Sequence, residues 1–125
     1  MKVSKAVRRK IEAQFPPTQR PTTVGAVHRM NGLERRYANV LAMLKRIGEI
    51  AEYSFEALKF RLADNTWYTP DFVVWLSDGS IQAHEVKGFW RDDARAKIKI
   101  AAEMYPRVRF IALQEPDGGW RTEEF

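Results

Sequence analysis

The sequence predicts a mixed α/β domain with its elements in the order helix, strand, strand, strand, helix, strand, forming a mixed central sheet flanked by helices. Three observations lead there. Apolar residues recur at helical spacing in two separate stretches, Leu33 to Ile47 and Ala94 to Tyr105. Aromatic and β-branched runs fill the chain between those stretches and after the second. Turn residues, Asp64-Asn65, Ser77-Asp78-Gly79 and Pro106, separate the runs at strand-sized intervals.

The first helix is set by Leu33, Tyr37, Val40, Leu41, Leu44 and Ile47, with Asn31 as its cap and Gly48 just past its end. Leu58, Phe60 and Leu62 alternate with polar or small residues and stop at Asp64-Asn65, giving the first strand. Trp67 to Leu76 reads as the second strand, with Pro70 near its beginning, where proline is tolerated. Ile81 to Lys87 is the third. Asp92 or Asp93 caps the second helix, which Pro106 stops, and Val108 to Leu113 is the fourth strand.

Charge divides the chain into a basic arm, residues 1–30, and a body, residues 31–125. The arm carries seven basic side chains against Glu12, a net +6, while the body is −1. A basic arm on a near-neutral body suits a polyanion, because each contact with a phosphate releases condensed counterions. Three prolines within Pro16 to Pro21 make an extended linker of that part of the arm, after a short helix over residues 3–13. With 45% hydrophobic and 30% charged residues the chain is expected to be globular, and 125 residues make one domain. No apolar run is long enough for a membrane span and no apolar segment follows the basic start, so neither a membrane association nor a secretory signal is expected. The absence of cysteine excludes disulfides, a thiol nucleophile and thiolate zinc sites, and leaves hard oxygen-ligated cations as the favoured metals.

The chemistry concentrates on the second and third strands. A three-residue Ser77-Asp78-Gly79 loop sets Leu76 opposite Ser80, and counting back sets Asp71 opposite Glu85, with Lys87 two residues further on the same face. Cross-strand carboxylates about 5 Å apart repel unless a cation sits between them. Two carboxylates with waters are what Mg²⁺ or Mn²⁺ prefers. A two-residue loop would slip the register by one and separate the pair, and three such residue types on an exposed hairpin would be an ordinary surface pair. The apolar neighbours on both faces, Phe72, Val73, Val74, Trp75, Ile81 and Val86, favour a task for the charges.

Thr69-Pro70-Asp71-Phe72, with thirteen residues between Asp71 and Glu85, then Glu85-Val86-Lys87, resembles the signature of the PD-(D/E)XK, or restriction-endonuclease-like, nuclease superfamily. The element order is similar to that superfamily's αβββαβ core. Small phage-encoded nucleases and the endonuclease subunit of heteromeric transposases look most alike, sharing a helix glutamate, a Tyr-x-Pro-Asp-Phe strand and a Glu-Val-Lys strand. The resemblance implies that Asp71, Glu85 and the backbone carbonyl of Val86 ligate Mg²⁺ or Mn²⁺. It implies that Lys87 orients the attacking water and offsets transition-state charge, and that Glu34 helps to hold or position the metal. Glu34 also stands at capping-box spacing from Asn31, a purely structural use.

DNA contacts are expected from Arg8, Arg9 and Lys10 in the arm, and from Arg91, Arg95, Lys97 and Lys99 on the second helix, whose face is otherwise an ordinary solvated one. Phe89 and Trp90 either stack on a base or close the core edge, and His28 and His84 are read as structural. The expected function is a metal-dependent DNA endonuclease from a phage or mobile element, cytoplasmic in a bacterial host. It would select branched or distorted duplexes or make nicks, acting as a homodimer or with phage or transposition partner proteins. The competing expectation is a non-catalytic nucleic-acid-binding module with an inherited nuclease-like fold.

Overall fold

The structure is a computed structural model that describes residues 29–115 and 119–125. The expectations placed on Arg8, Arg9, Lys10, His28, the arm helix and the linker lie outside those residues. Helix α1 spans Gly32–Arg46 and starts with a complete capping box: the Asn31 side chain accepts from the Glu34 N–H, and the Glu34 carboxylate accepts from the Asn31 N–H, each at 2.8 Å. Gly48, at φ 82°, takes the left-handed conformation just after the helix.

Among the described residues seven strands follow this helix, interrupted by a second one. They are β1 (Glu52–Phe55), β2 (Phe60–Ala63), β3 (Thr66–Tyr68), β4 (Phe72–Trp75), β5 (Ile81–Lys87), β6 (Val108–Gln114) and β7 (Arg121–Glu124), with α2 (Asp92–Met104) between β5 and β6. Five of them form one mixed sheet in the order β1-β4-β5-β6-β7, and β2 and β3 make a separate two-stranded hairpin. Among the described strands β5 and β6 are the pair that runs parallel, joined through α2, as a parallel pair requires.

Three expectations about elements are corrected here. The strand beside β4 is Glu52–Phe55, not the Leu58–Leu62 run, which falls in the separate hairpin. β1 reads Glu-Tyr-Ser-Phe, a polar–aromatic alternation of four residues, the shortest run that marks a strand, and Tyr53 and Phe55 pack on the layer beneath α1. The stretch Trp67 to Leu76 is two strands in two sheets, because Pro70, fully buried, supplies no N–H to a ladder and turns the chain between them. Helix α2 is capped by Arg91 in extended backbone without a side-chain cap, and Asp92 and Asp93 instead occupy the first turn, where the helix dipole favours anions.

The sheet separates two apolar layers. On one face Tyr37 and Leu41 of α1 pack on Ile50, Phe72, Val74, Val86 and Leu113. On the other, Ile98 and Ala101 of α2 and Phe60, Leu62 and Tyr68 of the hairpin pack on Ala83 and Phe110. Each fully buried large side chain, such as Phe72 or Phe110, stabilises by about 1.5–3 kcal/mol. Alternation along β5 therefore gives His84 and Val86 to the α1 layer, and Ala83, Glu85 and Lys87 to the α2 layer.

Candidate functional site

The geometry begins at the β4–β5 turn. Leu76 N–H donates to the Ser80 carbonyl at 2.9 Å, Gly79 N–H donates to the Leu76 carbonyl at 3.0 Å, and Gly79 sits at φ 87°. This is the three-residue loop with glycine in the left-handed position, and the ladder runs from Trp75 opposite Ile81 to Phe72 opposite His84. The next step of that register sets Asp71 beside Glu85.

Hydrogen bonds fix Asp71 at the end of the strand. Its N–H donates to Glu85 Oε2 at 3.3 Å, its carbonyl accepts from Glu56 N–H at 2.8 Å, and its Oδ2 accepts from Val86 N–H at 2.8 Å. No donor among the described residues reaches Oδ1. Glu85, 7% exposed, accepts the Tyr68 hydroxyl on Oε2 at 2.8 Å and pairs through Oε1 with Lys87 Nζ at 3.0 Å. Asp71, Glu85 and Lys87 thus converge at one end of the sheet.

Tyr68 belongs to this cluster although sequence reasoning gave it no role. It is the tyrosine of the Tyr-x-Pro-Asp-Phe segment, and its place three residues before Asp71 was the available signal. Burial beside Glu85 holds its hydroxyl protonated, the pKa driven up by desolvation first and by the Glu85 charge second. A protonated hydroxyl is a permanent donor to the carboxylate.

Burial and then repulsion by Glu85 push the Asp71 carboxyl up to about 8, with a smaller push from Glu34; the Val86 N–H and the Lys87 ammonium act the other way. Two carboxylates that resist joint ionisation form a donor set that suits a divalent cation, which would reverse that cost. Among the described residues no group of three or more His, Cys, Asp and Glu is assembled for a metal. The fit therefore rests on the Asp71–Glu85 pair. Glu34 is committed to its capping box and reaches Asp71 through charge repulsion.

The basic residues of α2 have different fates. Arg95 pairs with Glu123 of β7, and its guanidinium lies 5.0 Å from the Trp90 ring and 5.5 Å from the Phe125 ring. It clamps the helix to the sheet edge. Arg91 stands over the ring of Phe89 at 5.9 Å, and Lys97 and Lys99 are exposed. Because α2 runs back along β5, Arg91 is the nearest of the four to Lys87, and Lys99 lies about 12 Å further along the axis at 1.5 Å per residue. Trp90 packs at the edge of the core while Phe89 is 69% exposed. Gln114 is the β6 partner of Lys87.

His84 serves the opposite face. Its Nδ1 lies 2.6 Å from the Tyr37 hydroxyl and its Nε2 2.9 Å from Gln82 Oε1. With an amide oxygen as acceptor, Nε2 carries the proton and Tyr37 donates to Nδ1, a neutral arrangement. Burial lowers the His84 pKa to about 4, against an ordinary 6.5.

These shifts set the pH response of the metal-free protein. A buried neutral histidine removes stability as pH falls from about 6.5 to about 4, because the unfolded chain binds the proton more readily. Asp71 has the opposite sign: its raised pKa removes stability as pH rises from the ordinary 3.8 to about 8. In chelator, calorimetry is expected to give a melting temperature that falls between pH 6.5 and 8 in the wild type. It is expected to be flat over that range in Asp71→Asn. A wild-type midpoint that rises over that range contradicts the shift.

Neither a comparison with protein-family models nor a search of curated proteins finds a match to this chain. Among the described residues no helix is long and apolar enough to cross a membrane.

Proposed function

We propose that the chain is a metal-dependent phosphodiesterase that cuts DNA, built on a PD-(D/E)XK-like core. The observation that carries this reading is the convergence of Asp71, Glu85 and Lys87 at the end of an otherwise apolar hairpin. The sequence α1-β1-β4-β5-α2-β6, with strands adjacent in that order and β5 parallel to β6, supports the αβββαβ arrangement once the β2–β3 hairpin is set aside as an insertion.

Asp71 and Glu85 are the residues that would hold Mg²⁺ or Mn²⁺, with the carbonyl of Val86, the residue after Glu85. Such an ion supplies Lewis-acid charge at a phosphate and lowers the pKa of a bound water. Lys87, held beside Glu85, faces the place where negative charge builds up as water adds to phosphorus and the bond to the leaving oxygen breaks. The fixed backbone of Asp71 keeps the two carboxylates aligned without reorganisation during the reaction. Glu34 tunes the site through its charge. Arg91, Lys97 and Lys99 are the α2 cations available to phosphates, since Arg95 is occupied by Glu123.

The test is incubation of the full chain with linear duplex, four-way junction, flap and single-stranded DNA in Mg²⁺, Mn²⁺ or EDTA. Cleavage that needs the metal and disappears in Asp71→Asn is the expected result. Binding without cleavage in every metal overturns the enzyme reading and leaves a non-catalytic nucleic-acid-binding module, which the +6 arm also suits.

The arm gives a separate prediction. Each phosphate contact contributes about 0.9 to the slope of log K against log salt. Replacing Arg8, Arg9 and Lys10 by alanine in the full chain should flatten that slope by up to roughly 3 on the same rule, with the low-salt cleavage rate retained. An unchanged slope in a filter-binding titration shows that these three side chains contact no phosphate.

A further inference from the structure

We propose that the outer face of the β2–β3 hairpin, formed by Lys59, Arg61 and Trp67, is a stacking platform for an unpaired strand next to the scissile phosphate. This rests on the nuclease reading and specifies its substrate. The hairpin has two unlike faces. Phe60, Leu62 and Tyr68 point inward and join the α2 layer, whereas Arg61 and Trp67 are cross-strand partners that point outward. Trp67 is 42% exposed and is part of neither core cluster, and the Lys59 ammonium lies 4.9 Å from its ring centroid. Among the described residues the Arg61 guanidinium has a loose 3.9 Å pair with Asp64, both side chains being exposed.

An exposed indole flanked by two cations matches the chemistry of a nucleotide, which offers a flat π-face and a phosphate together. Apolar protein partners would leave both cations desolvated without anions. The placement fits as well. Trp67 precedes Asp71 by four residues, at most roughly 14 Å of extended chain. Tyr68, the next residue, is bonded to Glu85, so the platform is held in a fixed relation to the carboxylate pair. Inside a paired duplex both faces of each base are covered by their neighbours, so away from a duplex end an indole stacks where a strand is unpaired, as at a flap, a junction or a single-stranded tail.

The experiment measures fluorescence anisotropy with the full chain in an Asp71→Asn background, comparing a labelled duplex with a single-stranded arm against a blunt duplex in Mg²⁺. Trp67→Ala is expected to weaken binding of the armed substrate by about five- to a hundred-fold, the scale of one lost base stack, and to change blunt-duplex binding by less than about twofold. Trp67→Phe should restore most of the loss, and Lys59→Ala should fall between. Melting temperatures should not move, since the side chains lie outside both core layers. Equal losses on both substrates, or none, overturn the platform while leaving wild-type cleavage, and the nuclease reading, intact. A wild-type chain that neither binds nor cleaves any of these substrates overturns both.

Discussion

Asp71→Asn is expected to abolish cleavage, by about a hundred- to a thousand-fold or more, the scale on which a single transition-state stabiliser contributes. The variant should also be more stable than the wild type in chelator at pH 8. Both effects have one origin. The amide keeps an oxygen to accept from the Val86 N–H, so the backbone geometry survives, but it carries no charge for a cation and none to repel Glu85. Addition of Mg²⁺ should raise the wild-type melting temperature by mass action and leave the variant where it was. Glu85→Gln should lose activity similarly, with a less clean stability readout because Lys87 loses its partner. Single-turnover rates and melting curves with and without metal check these outcomes. Wild-type rates in either variant refute the metal assignment.

Lys87→Ala should lower the rate by about a hundred- to a thousand-fold while metal binding, read by calorimetry, is kept or slightly strengthened. The ammonium lies 3.0 Å from Glu85 and is partly exposed, so its removal leaves the site more anionic without emptying the core. More anionic carboxylates attract a cation at least as well, whereas the transition state loses a positive charge aimed at it. Lys87→Arg should not restore the rate, because a planar fork cannot occupy the position of a compact ammonium. If metal binding and folding fail together in Lys87→Ala, the lysine is a salt-bridge partner of Glu85 and nothing more.

The site was more legible in the sequence than the sheet that carries it. Ile81 to Lys87 is read with its observed limits because a seven-residue segment, begun by Ile81 and bounded by a glycine turn and Gly88, is too short for a helix between two such breakers. The Asp71–Glu85 register followed from loop length, since a tight turn leaves few ways to pair the strands. The edges were illegible. β7 reads Arg-Thr-Glu-Glu, wholly polar, and exists because its backbone completes the open side of β6, which depends on tertiary pairing rather than on side-chain pattern. β1 was hard to read because of its length: Glu-Tyr-Ser-Phe alternates polar and aromatic residues over only four positions, the shortest run that marks a strand. Tyr68 was hidden in another way: its function needs the hairpin folded back on Glu85, and only its neighbours in the motif marked the region. The α2 stripe was correctly spaced, yet spacing could not reveal that Glu123, beyond the expected last strand, would occupy Arg95.

The alternation along β5 bears on how such a chain can change over generations. His84 and Val86 answer to the α1 layer, and Glu85 and Lys87, interleaved with them, to the cluster around Asp71. Point substitutions in the α1 layer can accumulate and be compensated within that layer without reaching Asp71, Glu85 and Lys87. Insertions and deletions have no such freedom. One residue gained or lost between Phe72 and His84 exchanges the two sets, driving two charged side chains into the oily layer and presenting a histidine and a valine in their place. Descendants of this chain should therefore diverge in the apolar residues of α1 that face the sheet while the length of the β4–β5 turn stays fixed.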